Sequence, residues 1–426
     1  MSSKDAQQAD TTTGGNRWVI LVAAVLVQLA IGAVYAWSVF AKAIQSPDAF
    51  GWSKSLAAVP FEVVIGMIFL GSFIGGRIQD RRGPRVVALT GGVIYSVGVM
   101  IASFADKDHF WILLVGYGIL GGFGLGMVYI VPIAMLQKWF PDKPGLITGI
   151  AVAGFGFGAL ITSPLGQRLI ANDPSMPTKA FLPLGIGYLV AIVLGASFFR
   201  NPAVPLADTT AASGSKADPK ADADYTTEEA LRTPQWYLLT GILTLSVTAG
   251  ISLIAVAAGS ATDVAGFSAT GAASLVGVLA VFNGGGRILW GWVSDRIGKM
   301  PAFMGILGIQ GVCLLLIPHI SSTVIFAILA ALIYTCYGGA FGTMPSTAGR
   351  FFGVRNAGGI YGLMLIGWSL GGIFGPLIIA ALIGEEKAYT LGFTVIGIIA
   401  LVGMVLPLIT KRPAPKQHSR TDPVAS

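Results

Sequence analysis

Within the stretch Phe282-Asn-Gly-Gly-Gly-Arg287, the side chains of Asn283 and Arg287 are the ones suited to holding an anion. Arg287 lies inside a long apolar run, about six residues, or roughly 9 Å of helix, before that run closes at Val293. A guanidinium in hydrocarbon costs about 2.5–3.5 kcal/mol on insertion scales, so it is expected to face a polar cavity and meet an anion there. The competing reading is a structural ion pair with a neighbouring helix. Asn283 is four residues earlier and shares one helical face with Arg287. An amide beside a guanidinium offers a carboxylate several converging donors. The three intervening glycines let a ligand or a second helix come close to the backbone.

Other polar groups sit deep in apolar segments. Tyr35 and Trp37 lie in the first, Tyr129 in the fourth, Tyr334 and Tyr337 in the tenth, and Trp368 in the eleventh. Hydroxyl and indole N–H groups need partners in lipid, so these rings are expected to face the interior. Each alone reads equally as a packing aromatic; together they suggest a cavity wall. Glu62 is the one carboxylate well inside an early segment. It reads as a proton carrier or as a hydrated rim residue. Cys313 and Cys336 fall within apolar runs and read as buried thiols, while His109, His319 and His418 sit at loops, a helix end and the tail. No metal site or cofactor is expected, and a histidine proton relay is not supported.

The elements that must position these residues are membrane helices. The 426-residue chain is 54% apolar and 11% charged, less than half the usual charged share, with mean hydropathy +0.75. Twelve apolar segments are predicted, near 17–41, 55–76, 85–105, 110–137, 145–170, 180–200, 234–259, 270–293, 301–318, 323–347, 357–381 and 388–410. The first is too long for a signal peptide and should remain as a helix. Most of the 27 Lys and Arg residues fall at alternate ends of these segments, which places both termini in the cytoplasm. The net charge of +7 thus reflects topology, and no nucleic-acid partner is expected.

Residues 1–16 are polar and expected to be disordered. The stretch 201–233 reads as a cytoplasmic linker between six-helix halves at 17–200 and 234–410, with a cytoplasmic tail at 411–426. Thr226 and Glu229 have capping-box spacing and should start a short helix before the seventh segment. Glycine is abundant, at 58 residues, with four-residue spacing at Gly122 and Gly126 and at Gly367, Gly371 and Gly375. None of these runs carries the Lys-Ser/Thr of a phosphate loop, so ATP-driven pumping is not expected.

The two halves repeat a motif. Gly76-Arg-Ile-Gln-Asp80-Arg-Arg-Gly83-Pro-Arg85 follows the second segment, and Gly291-Trp-Val-Ser-Asp295-Arg-Ile-Gly298-Lys299 follows the eighth, with its glycines and aspartate at one constant offset. Asp80 and Asp295 could each cap the positive N-terminus of a helix in the other half, with Arg81, Arg85 and Arg296 as bridging partners. Such contacts would exist in one conformer and break in another. This pattern resembles the signature loop of the major facilitator superfamily. That resemblance implies an all-α membrane protein of twelve transmembrane helices in two six-helix bundles, alternating access to a central site.

A closer resemblance is carried by Gly15-Asn-Arg-Trp18, Tyr35-Ala-Trp-Ser38, Lys138-Trp-Phe-Pro-Asp-Lys143, Phe282-Asn-Gly-Gly-Gly-Arg287 and Tyr361-Gly362. These are similar to the bacterial oxalate:formate antiporter family, a relative of the monocarboxylate transporters. The resemblance implies that Arg287 grips a substrate carboxylate and that Tyr35, Tyr129 and Tyr337 line the cavity. Phe341 stands where the oxalate carrier has a tyrosine, and Trp368 where it has a second cation. One fixed positive charge suits a monoanion; a dianion would be left with one charge uncompensated in a low dielectric. Asn283 takes the place of the aspartate of proton-coupled animal carriers, so proton coupling through that position is excluded.

The expectation is a monomeric secondary transporter of small monocarboxylates, of lactate, pyruvate or formate size, in a bacterial inner membrane. Proton symport is the preferred coupling and anion exchange the alternative. A carboxylate sensor would need a signalling domain, and an intramembrane enzyme a cluster of catalytic groups; neither is evident. Replacing Trp368 by Lys should strengthen oxalate relative to lactate, because two cations in one pocket favour a dianion. Competition by oxalate against labelled lactate uptake in vesicles measures this, once expression of the variant has been checked.

Overall fold

The computed structural model describes residues 16–202, 224–384 and 388–413. The expected disorder of residues 1–16 concerns, apart from Asn16, residues outside this set, as do the core of the linker, 203–223, and most of the tail, 414–426. The described residues form twelve helices long and apolar enough to cross a membrane. Six precede the linker: Arg17–Gln45, Lys54–Arg82, Pro84–Ala102, Phe110–Trp139, Pro144–Ala171 and Pro177–Ala196. Six follow it: Pro234–Asp263, Thr270–Ile297, Lys299–His319, Thr323–Phe352, Ala357–Ile383 and Tyr389–Ile409. They are called spans one to twelve below. The end of the molecule where span one begins and span twelve finishes is called the terminal end.

The ends of spans two and eight differ from the sequence reading. Their apolar runs stop near residues 76 and 293, but the helices continue to Arg82 and Ile297. Hydropathy falls where water begins, whereas helical hydrogen bonding carries on through the charged turn. Asp80 and Asp295 therefore ride on helices, and the reversals reduce to single glycines. Gly83 at φ 87° and Gly298 at φ 95° occupy the left-handed region that glycine tolerates. Pro84 then opens span three with its φ already set for helix.

Glycines let the spans approach to backbone contact. Gly122 and Gly126 place span four against Val64 and Ile68 of span two. Gly367, Gly371 and Gly375 press span eleven against Thr240, Thr244 and Thr248 of span seven. Between the halves, span five meets span eight where Gly145 and Gly149 face the backbone of Gly291 and Arg287. Span two meets span eleven where Gly76 and Ser72 face Gly358 and Gly362.

Three spans are irregular. Span one passes through a 3₁₀ stretch, Gly32–Ala36, which carries Tyr35. Span four contains a π-helical stretch, Leu114–Gly121, before its α-helix begins at Gly122. Span eleven is two helices, Ala357–Met364 and Ile366–Ile383, separated by Leu365. Departures of this kind often mark functional positions in helices. Ahead of span seven, Thr226 and Glu229 form the reciprocal capping box that starts the short helix Thr227–Leu231.

Gly126→Val should be destabilising by about 1–3 kcal/mol, because a side chain there meets the Ile68 backbone. Gly187→Val, where a side chain meets open space, should leave stability nearly unchanged. Thermal unfolding in detergent checks both.

Candidate functional site

Arg287 projects from span eight into the interface between the halves and is fully buried. Span eight can carry it so close to span five because Gly149 and Gly156 leave room for its backbone and its Nε. Its Nη1 donates to the Val152 carbonyl of span five at 3.0 Å. Its Nε and Nη2 have no hydrogen-bond partner. Its guanidinium carbon lies 5.2 Å from the Phe341 ring centroid and 5.6 Å from that of Phe155. Such cation–π contacts soften the burial but supply no acceptor.

Aromatic rings enclose the guanidinium. Phe155 packs edge-on against Tyr35 at 5.1 Å and Tyr129 at 5.0 Å. Trp368 lies 4.9 Å from Phe341, 5.7 Å from Tyr129 and 6.0 Å from Phe155. Tyr337 meets Phe341 at 5.3 Å. Tyr129, Tyr337 and Tyr361 all lie within reach of the Arg287 charge. The hydroxyls of Tyr35, Tyr129 and Tyr361 and the indole Nε1 of Trp368 are buried without partners. Together with the two free guanidinium N–H positions, the cage presents an excess of donors. Among the described residues no carboxylate forms a salt bridge with Arg287.

The structure thus brings together Arg287, Tyr35, Tyr129, Tyr337, Phe341 and Trp368. It adds Phe155 and Tyr361, which the sequence reading did not single out for the site. Phe155 stands in the run Ala-Gly-Phe-Gly-Phe-Gly, whose glycines signal close approach around large rings. Asn283 sits at the contact between spans eight and ten, its backbone against Gly338 and its Oδ1 without a partner. Tyr334 lies elsewhere. It packs in a second apolar cluster with Leu253, Leu279 and Phe326, about 10 Å along span ten from Phe341. Glu62 is exposed on span two.

Towards the terminal end, two carboxylates join the halves. Asp80 of span two accepts from the amides of Gly358 at 3.2 Å and Gly359 at 2.7 Å, at the start of span eleven. Asp295 of span eight accepts from Gly145 at 3.1 Å and Leu146 at 2.9 Å, at the start of span five. Each carboxylate meets orphan amides at the positive end of a helix dipole. The two differ in their cations. Lys299, 5% exposed, donates to Asp295 at 2.7 Å and also to the hydroxyls of Ser294 and Ser346. Among the described residues Asp80 forms no such salt bridge. The arginines act inside their own halves: Arg85 donates to the Ser197 carbonyl, Arg296 stacks 4.1 Å over Trp292, and Arg81 is exposed.

Residues 17–376 match the family model described as Major Facilitator Superfamily. The chain is 30% identical to the oxalate:formate antiporter of Oxalobacter formigenes, over 94% of its length and 93% of the relative's. It is 26% identical to human monocarboxylate transporter 11, over 96% and 86%. Its fold superposes on the crystal structure of the transporter FucP in the outward conformation with TM-score 0.68. That match covers 93% of this chain and all of the other at 16% identity, and carries the fold alone.

Asp295→Asn should cost stability on the order of 3 kcal/mol, because it strands the buried Lys299 charge. Pairing it with Lys299→Met should recover most of that loss. Thermal unfolding of the four-member double-mutant cycle reads the coupling.

Proposed function

The chain belongs to the Major Facilitator Superfamily, whose members are transporters, and from this we propose that it carries small monocarboxylates by alternating access. The observation that carries the reading is the surplus of donors around Arg287. A carboxylate would supply acceptors for Nε and Nη2 and for the neighbouring hydroxyls, and would neutralise the Arg287 charge. Trp368 and Phe341 leave the remaining wall apolar, which suits a substrate with one charged end and a small hydrocarbon remainder. The oxalate:formate antiporter and monocarboxylate transporter names among the relatives support the same class.

Arg287 also links binding to movement. Its Nη1 holds a carbonyl of the opposite half. A bound carboxylate is a stronger, charged acceptor and competes for the guanidinium. Occupancy therefore weakens a bond across the interface where the halves must separate. We assign Asn283, one turn away on the same helix face, to orienting the substrate, and Tyr334, packed in the second apolar cluster, to holding span ten.

The positive-inside pattern of the basic residues supports our reading of both termini as cytoplasmic, in a bacterial inner membrane. The terminal end, held by Asp80 and Asp295, is then the cytoplasmic gate in its closed state. Arg81, Arg85 and Arg296 support the gate helices from within each half. The coupling we favour is proton symport by a monomer, which makes uptake of a monoanion electroneutral, with exposed Glu62 as the candidate proton site. The second reading is anion exchange, favoured by the 30% identity to an antiporter.

Proteoliposomes loaded with labelled lactate, pyruvate, formate or oxalate, with and without an imposed pH gradient, separate these readings. Arg287→Lys should weaken carboxylate binding and Arg287→Ala should abolish it, since neither restores the planar fork. Ligand-induced thermal shifts in detergent measure this. Stabilisation of the alanine variant by lactate equal to wild type would remove Arg287 from the site.

A further inference from the structure

The first helix of span eleven, Ala357–Met364, holds the other half at one end and the centre of the cage at the other. At its start, the Gly358 and Gly359 amides are bonded to Asp80. Along its flank, Gly358 and Gly362 lie against the backbone of Gly76 and Ser72 of span two. These are four residues apart and form one face. Tyr361 points elsewhere. It stands seven residues before Trp368, about 10 Å nearer the gate, within reach of Tyr129 and of the Arg287 charge. Its ring is fully buried, and its hydroxyl faces that of Tyr129 without reaching hydrogen-bond geometry. The helix then stops. Leu365, at ψ −7°, separates it from Ile366–Ile383.

We propose that Tyr361 is the residue through which an occupied site releases the Asp80 latch, with Ala357–Met364 as a hinged gate segment. The inference rests on the monocarboxylate reading above. Arg287 and Tyr361 belong to the same half, yet the segment bearing Tyr361 is docked on the other. A carboxylate held by Arg287 gives the Tyr361 hydroxyl the acceptor it lacks. An anion gripped by both residues ties the segment to its own half, in competition with the docking on span two. The turn at Leu365 allows the segment to move without displacing Trp368, which stays in the cage. When the anion leaves, Tyr361 loses its acceptor and the Asp80 bonds with Gly358 and Gly359 re-form.

The test uses the full-length protein with Cys313 and Cys336 replaced by Ala and a reporter at Ala357→Cys, which is buried beside the latch. Lactate should raise the rate of maleimide labelling several-fold in this parent. Tyr361→Phe keeps the ring and removes only the hydroxyl. It should lower lactate affinity about tenfold, the loss expected for one hydrogen bond to a charged group. More tellingly, labelling should stay at the empty-state rate even at lactate concentrations that saturate the variant. A purely structural role would restore the full response at saturation. If Tyr361→Phe responds like the parent when saturated, or binds lactate with unchanged affinity, the proposal is overturned. If the parent itself labels at one rate with lactate, pyruvate and formate alike, the monocarboxylate reading fails and this coupling with it. A parent that responds while the variant responds equally defeats the coupling alone.

Discussion

A single uncompensated guanidinium in a low-dielectric interior constrains the rest of this structure. Among the described residues Arg287 has no carboxylate partner, and a lone charge so placed is costly. The cost is offset in three partial ways: one bond to the Val152 carbonyl, two aromatic faces, and burial among hydroxyl and indole groups. None of these neutralises the charge. The surrounding helices must therefore be held in place by interactions elsewhere. Spans five, eight, ten and eleven achieve this by meeting backbone to backbone at glycines, where dispersion contacts are dense and no side-chain freedom is lost.

The two gate carboxylates solve one problem with different reserves. Both cap helix N-termini across the interface, which satisfies amides that would otherwise be orphans. Asp295 works inside a small network with Lys299, Ser294 and Ser346, so its charge remains paired whether or not the halves separate. Asp80 depends on the amides it caps. The span two–span eleven contact is also where the short helix before span seven arrives, with Glu228 3.5 Å from Arg77. Tyr225 and Asn356 add hydrogen bonds between that segment and the end of span ten and start of span eleven. This contact joins three parts of the chain at one point.

Much of this was legible in the sequence because hydrophobic period and charge position are direct records of a membrane environment. Twelve spans, the repeat at Asp80 and Asp295, and the isolation of Arg287 all follow from where apolar residues stop. Helix ends were less legible, since spans two and eight continue beyond hydrocarbon. Depth along a span was the main gap. Tyr334 and Phe341 share a face of span ten, but periodicity does not say that one lies at the cage and the other about 10 Å away. Phe155 was hidden for the opposite reason: a phenylalanine in an apolar run carries no polar signal, and only the fold shows which rings it touches. Tyr361 was visible as a motif letter but not as a neighbour of Arg287.

The unpaired guanidinium also makes the centre of the protein responsive to voltage. Buried, and without a carboxylate partner among the described residues, it leaves the central site with a net positive charge. Exchanging which aqueous side reaches Arg287 moves that charge through part of the field, worth up to about 2.3 kcal/mol per 100 mV for a full crossing. An interior-negative voltage therefore favours the conformation in which Arg287 is open to the inside. Under the proposed monocarboxylate reading, a bound monoanion would cancel this charge and a proton carried with it would restore it. The proton would then decide whether the loaded step feels the voltage as the unloaded one does.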